Sequence, residues 1–308
     1  MPIQQVVGPS SRAGMFLVLT IQEGGEATVR DFLADLPGLV RGVSFRYPEH
    51  ELMTVAGIGA NLWDRLYAVP RPLHLHPFAE IKGAKHTAVS TPGDLLIHLR
   101  ARHLDICFEL ARQVSERLKW VGEVVDEVHG FKFFDDRDLL GFVDGTENPE
   151  GGKAEAAVMV GDEDATYAGS SYVIVQKYLH DMDAWRALST EDQEKVIGRS
   201  KLEDIEMSDD VKPSNSHIAL NVIEDADGTQ RQIVRENMPF GQIGTQEFGT
   251  YFIGYAADPG ITEEMLRNMF IGKPEGNTDR ILDFSTPVTG SLYFVPTEDF
   301  LDDQPAAR

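Results

Sequence analysis

The segment Gly141-Phe142-Val143-Asp144-Gly145-Thr146-Glu147-Asn148-Pro149 packs an acid, two glycines, an amide and a proline directly behind the apolar pair Leu139 and Leu140. Glycine at both ends of the acid lets the backbone take conformations closed to other residues and approach a ligand closely. Pro149 biases Asn148 toward extended geometry and ends any helix there. Asp144 is therefore expected on a rigid loop, aimed by the chain. The same residues also read as an ordinary Asp-Gly turn.

Two further groups carry chemistry. His217 stands between the polar run Ser214-Asn215-Ser216 and an apolar stretch, and Arg235 opens Arg235-Glu236-Asn237. Ile218 to Ile223 and Thr229 to Arg235 read as a hairpin turned at Asp227-Gly228. Such a fold-back returns Arg235 to the same end as His217, with Asp144 as a third partner. A flat cofactor among them would separate an axial ligand from an acid–arginine pair. Spacing permits this without showing it, since a lone histidine in that setting is as readily a structural or surface residue.

Gly141-x-x-Asp144-Gly145 followed by Thr146-Glu147-Asn148-Pro149, with His217 and Arg235-x-Asn237 downstream in that order, resembles the dye-decolourising peroxidases, in particular their shorter bacterial B-type branch. The likeness runs the whole length. It implies an α+β fold of two ferredoxin-like halves with antiparallel sheets, haem b held mainly by the C-terminal half, and His217 as axial ligand of the haem iron through a neutral ring nitrogen. The other ring nitrogen would donate to a carboxylate, which makes the imidazole more basic. Asp283, set among Ile281, Leu282 and Phe284, is the first candidate for that carboxylate and Asp279 the second; either also reads as a helix cap or a partner of Arg280.

On the open side of the iron the resemblance implies Asp144, Arg235 and Asn237. Asp144 would shuttle a proton between the peroxide oxygens. Arg235, which keeps its charge, would stabilise the negative charge on the departing oxygen, and Asn237 would orient peroxide or a water. Which of Asp144 and Arg235 dominates varies within the family. Arg199, after Ile197-Gly198, matches a family arginine that meets a haem propionate, and Glu147 joins it among the cofactor-contacting residues. The activity implied is reduction of hydrogen peroxide and oxidation of phenols, dyes or Mn²⁺ as one-electron donors, by way of a ferryl state. Two alternatives remain: a haem-handling protein without turnover, which needs His217 but not Asp144 or Arg235, and a haem-free binding module. The family's oligomers lead us to expect at least a homodimer. Some relatives carry an extended tail that loads them into protein compartments, and no such tail is obvious after Phe300.

Bulk properties narrow the classes. The 42% hydrophobic and 25% charged composition belongs to a globular chain. Acidic residues outnumber basic ones 50 to 28, a net charge of −22, which disfavours nucleic acid as a partner because its binding rests on Lys and Arg neutralising phosphates. Cys107 is the single cysteine, so neither an internal disulfide nor a thiolate metal site can form. Met15 to Ile21 is apolar but lacks a twin arginine before it and a small-residue cleavage site after it, and no stretch approaches a membrane span. A cytoplasmic setting is expected. His74-Leu75-His76 suits zinc only weakly among its prolines, and Asp225-Ala226-Asp227-Gly228 reads better as a turn than as a calcium loop. Nothing separates a redox-relay role for Trp63, Trp120 or Trp185 from packing.

The elements that must position these groups follow from periodicity. Strands are expected at Met15 to Ile21, Gly42 to Phe45, Leu52 to Ile58, Asp94 to Leu99 and Val121 to Val128. Helices are expected at Thr28 to Leu36, Asn61 to Tyr67 and His103 to Leu118, the last marked by Ile106, Leu110, Val114 and Leu118. A second half restarts with a strand at Ser171 to Leu179 and a helix near Glu191 to Gly198, capped by Thr190. It ends with a strand at Thr250 to Ala256, a helix at Thr262 to Phe270 and a strand at Ser291 to Val295. The polar break Asp135-Asp136-Arg137-Asp138 divides residues 1–136 from 137–308.

Overall fold

The computed structural model describes residues 3–308. Its framework is one antiparallel sheet whose main path runs Val234–Arg235, Glu247–Ala256, Ser171–His180, Ser291–Val295, Met53–Gly59, Leu95–Ala101, Ala13–Ile21 and Gly122–Phe131. Four strands before residue 132 and the strands after residue 170 form two contiguous blocks, joined where Tyr293 pairs Gly59 and Phe294 pairs Ile58. Helices accompany both blocks, so the α+β class with antiparallel pairing is the one found.

The sheet curls until its ends meet. Strand Met238–Gln242 pairs with Glu247–Ala256 and also packs on Gly122–Phe131. Met238 fits there only because Gly130 and Gly14 have no side chains: a Cβ on Gly130 would lie 2.5 Å from the Met238 Cβ. The enclosed face is filled by Phe16, Val55, Leu96, Val128, Val175, Tyr251 and Tyr293, with Phe16 stacked on Tyr251 at 4.2 Å between centroids. Each such side chain contributes about 1.5–3 kcal/mol on burial, which favours the curled sheet.

Helices cover the outer face. Glu26–Ser44 buries Val29, Phe32, Leu33 and Leu36 and runs on through Pro37, so the strand expected at Gly42 to Phe45 is instead the end of this helix. The reason is tertiary: Leu39, Val40 and Val43 keep the apolar face packed on the core beyond the proline, and packing overrides local propensity. Leu104–Leu118 buries Ile106, Leu110, Val114 and Leu118 as their spacing predicts. Thr190–Ile197 is capped one residue earlier than expected, by Ser189, whose Oγ accepts from Asp192 N at 3.1 Å. Among the described residues no helix is long and apolar enough to cross a membrane.

Candidate active site

On the outer face of the second block lies a cavity of about 1180 Å³, counted out to its open mouth. Gln176, Tyr178, His180, Thr250 and Phe252 rise into it from two neighbouring strands, and Met265, Leu266 and Met269 close it from helix Pro259–Phe270. Asp144, Glu147, Arg199, His217, Arg235 and Asn237 all line it. Asp283 does not.

His217 opens a short helix, His217–Asn221, instead of a strand. Ser216 starts that helix by accepting from Ala219 N at 3.4 Å, as a cap serine does. The expected long hairpin therefore shrinks to Ile223–Glu224 against Gln230–Arg231, and Arg235 pairs with Gly254 of a different strand. What brings His217 and Arg235 to one cavity is the closure of the sheet and helices around it.

The imidazole is held from behind. Nδ1 of His217 lies 2.7 Å from Oδ2 of Asp279, a carboxylate 1% exposed. Oδ1 of Asp279 accepts from Ile281 N at 2.9 Å, capping the 3-10 turn Arg280–Asp283. Nδ2 of Asn221 donates to the His217 carbonyl at 2.7 Å. A carboxylate on Nδ1 places the ring proton there and leaves Nε2 as a lone-pair donor. Asp283 is thereby corrected as the partner: its carboxylate is 43% exposed and sits 3.2 Å from Nε2 of His86. The turn that buries Asp279 at its start carries Asp283, at its end, outward.

The loop bearing Asp144 is wound around Asp138. Oδ1 of Asp138 accepts from Gly141 N at 2.9 Å and Phe142 N at 3.0 Å, and Asp144 N donates to the Asp136 carbonyl at 3.0 Å. Gly141 has φ +95°, a conformation that favours glycine, and a Cβ there would also displace the end of the Lys201 side chain, whose Cε lies 2.5 Å away. Burial pushes the Asp138 carboxyl up to about 7, with the charge of Asp144 adding to the shift against the hydrogen bonds from Phe142 and Gly141.

Asn237 links the acid to the sheet. Its Nδ2 donates to Oδ1 of Asp144 at 3.2 Å and its Oδ1 accepts from Ile253 N at 3.1 Å. Oδ2 of Asp144 and Nε of Arg235 are buried without a partner among the described residues. Two orphaned polar atoms of opposite charge beside one cavity are groups waiting for a ligand. Asn148 holds the Arg235 main chain, donating to its carbonyl at 2.7 Å and accepting from its N–H at 2.9 Å. Arg199, 6% exposed, pairs with the carboxylate of Glu147 and donates to the Asp204 carbonyl at 2.7 Å.

Asn148, Asp138 and His180 were missed as site residues. Asp138 had a local signal, an acid three residues before a glycine. Asn148 stands in the motif after Asp144, but its partner Arg235 is remote in sequence and gave no local signal. Burial holds His180 down at about 4, and its ring bridges Ser285 Oγ at 2.7 Å and Thr250 Oγ1 at 3.0 Å.

Fold and cavity together define an α+β protein that offers a largely apolar cavity, one free imidazole nitrogen and, at the same cavity, an acid and a guanidinium. Residues 4–132 match the family model described as Dyp-type peroxidase, N-terminal, and residues 135–300 match Dyp-type peroxidase, C-terminal. The chain belongs to the Dyp-type peroxidase family and is a peroxidase. It is 63% identical over 304 residues to the dye-decolorizing peroxidase of Rhodococcus erythropolis, covering 99% of this chain and 89% of that protein. It is 60% identical to the dye-decolorizing peroxidase of Mycobacterium tuberculosis, covering 98% and 90%. Among solved structures, the encapsulated DyP-type peroxidase of Mycobacterium smegmatis superposes with TM-score 0.98 at 60% identity over 100% of this chain and 99% of that one. Variants of DypB from Rhodococcus jostii RHA1 in complex with heme superpose at 0.95 and 55% identity over 97% of both chains.

Proposed function

We propose that the cavity holds haem b and that the protein reduces hydrogen peroxide there at the expense of small one-electron donors such as phenols and dyes. The observation that carries this reading is the pairing of buried Asp279 with His217 Nδ1, which leaves Nε2 as a neutral, oriented ligand. The apolar walls suit a porphyrin face, and Arg199, a guanidinium lining the cavity beside Glu147, is a cation that would hold a propionate. Bound haem would supply an iron able to accept peroxide and store its oxidising equivalents.

The remaining chemistry belongs to side chains. Asp144 takes the proton from one peroxide oxygen and returns it to the other, a role worth about 10²–10⁴-fold in rate. Asn237 holds Oδ1 of Asp144, so the partnerless Oδ2 is the oxygen left to act. Arg235 places a permanent charge beside the oxygen that becomes negative; removing one such donor costs about 10²–10³-fold.

A cytoplasmic setting and a symmetric homo-oligomer accompany this reading. Phe134 and Leu202 are exposed apolar side chains available to a second copy.

Haem reconstitution of the wild type and of His217→Ala, followed by absorption spectra, tests the ligand. Stopped-flow mixing of reconstituted Asp144→Ala/Arg235→Leu with peroxide tests the chemistry. Wild-type peroxide reactivity in that double variant would overturn the mechanism and leave only haem binding.

A further inference from the structure

Arg235 and Asn237 line the cavity, and Glu236 between them points through the sheet to its enclosed face. There its carboxylate stands 3.1 Å from Nη1 of Arg100, a fully buried residue of strand Leu95–Ala101 in the first block. The remaining contacts of that guanidinium are the carbonyls of Gln5 and Val6, so among the described residues Glu236 is its single carboxylate partner. Other titratable groups on this face are His98 and Tyr255, which hydrogen-bond each other at 2.8 Å, and, further along it, Tyr251, Tyr293 and Asp126. Burial, and then the charge of Arg100, hold His98 neutral, and burial keeps the Tyr255 phenol protonated.

We propose that Arg100 and Glu236 are a positioning pair for peroxide handling, fixing from the first block where Arg235 and Asn237 stand in the cavity of the second. This rests on the reading that Arg235 and Asn237 act on peroxide.

Three physical points support it. Nη1 and Nε of Arg100 are buried with no hydrogen-bond partner among the described residues, so the Glu236 charge at 3.1 Å is what compensates this side of the guanidinium, and any geometry that separates the two is strongly disfavoured. The tether acts on the two-residue link between strands Val234–Arg235 and Met238–Gln242, which stays extended beside Glu247–Ala256 through Glu236 N on the Ile253 carbonyl, so Arg235 and Asn237 move with the residue between them. A displacement of about 1 Å at reacting groups can cost about 10²-fold in rate. The pair also settles a charge question. Glu236 is the nearest acid in sequence to Arg235, and Arg100 draws it to the opposite face, leaving the Arg235 guanidinium to the cavity.

The test compares wild type, Glu236→Gln, Glu236→Asp and the charge-neutral Arg100→Met/Glu236→Gln. One readout is hydrogen exchange of the residue 236 and Ile253 amides in haem-free protein, since residue 236 N donates to the Ile253 carbonyl and Ile253 N to Asn237. The other is the peroxide rate per bound haem, measured apart from donor oxidation. The neutral pair should unfold less readily than Glu236→Gln yet exchange those amides at least about tenfold faster and react with peroxide at least about tenfold more slowly, with donor oxidation within about twofold of wild type. Glu236→Asp, which keeps the charge, should recover most of the peroxide rate. Wild-type exchange or a wild-type peroxide rate in the neutral pair overturns the proposal, and that variant decides alone should Glu236→Gln fail to fold. Arg235→Leu, assayed in parallel, separates the two readings. A wild-type rate there removes the role of Arg235 itself, whereas a slow Arg235→Leu beside an unaffected neutral pair removes only the tether.

Discussion

The side-chain amide of Asn148 meets the main chain of Arg235 as a neighbouring strand would, with one donated and one accepted hydrogen bond at 2.7 and 2.9 Å. The loop that carries Asp144 is thus joined to the strand that carries Arg235 at a second point besides Asn237. The acid and the guanidinium keep their separation because two amides, from opposite sides, span the gap.

Replacing Asn148 with alanine leaves the Arg235 N–H and carbonyl unpartnered at a half-buried position. Each lost partner costs about 1–3 kcal/mol where the group stays dry, and partial access to water brings the expected total to about 2 kcal/mol. Urea unfolding of haem-free protein measures it. The peroxide rate should fall with it, by about tenfold, as Arg235 gains freedom. A variant as stable and as fast as wild type would show that the loop and strand are held by other contacts.

Asp279→Asn should lower haem affinity by about 10- to 100-fold, the usual effect of losing the partner behind a ligating histidine. Asparagine can still accept from Ile281 N, so the 3-10 turn survives and the change is confined to His217 Nδ1. Asp283→Asn serves as the contrast, because its carboxylate faces His86 and solvent; its haem titration should match wild type. Equal affinities for the two variants would remove Asp279 from the cofactor site.

Asp138 and His180 make opposite contributions to stability over nearly the same pH range. The Asp138 carboxyl is raised to about 7, so between its unfolded value near 4 and that figure the native state holds the extra proton, and stability falls as pH rises. His180 is lowered to about 4, so between its unfolded value near 6.5 and that figure the unfolded state holds the extra proton, and stability falls as pH drops. Asp138→Asn keeps the acceptor for Gly141 and Phe142 while removing the first slope. It should gain stability relative to wild type from pH 4 to pH 8, by about 2 kcal/mol once residual solvent contact is allowed for. His180→Gln removes the second slope and should gain relative to wild type as pH falls from 7 to 4. Denaturant titrations of haem-free protein at four or five pH values would reveal both, and parallel curves for variant and wild type would refute the assignment.

Gly141→Ala should destabilise the Asp144 loop by more than Gly145→Ala. Both positions have positive φ, which costs an L-residue about 1–2 kcal/mol, but only at Gly141 does the new methyl also collide with a side chain, that of Lys201. Thermal melts of the two variants compare them directly, and equal losses would mean that Lys201 yields freely.

Much of the molecule was legible along the chain wherever the deciding forces are local. The period of Ile106, Leu110, Val114 and Leu118 specified a helix and its buried face, and alternating or continuous apolar runs marked Met15 to Ile21 and Ser291 to Val295 as strands. The glycines around Asp144 announced a constrained acid, because only a backbone that must enter φ > 0 or admit a close neighbour needs them there. His217, Arg235 and Asn237 could be named from motif order. Their arrangement could not. The hairpin expected to unite His217 and Arg235 gave way to a Ser216-capped helical turn, and the strand expected at Gly42 to Phe45 became helix. In each case side-chain capping or packing against distant residues outweighed a short apolar pattern. The choice between Asp279 and Asp283 was likewise beyond sequence, since four positions along one turn separate a buried carboxylate from a solvated one. Asn148 on Arg235 and Glu236 on Arg100 join residues 87 and 136 positions apart in the chain (235 − 148 and 236 − 100). Local sequence sets which groups are available and how stiff their segments are. Only closure of the sheet, which buries apolar area contributed by every segment at once, decides which of them meet.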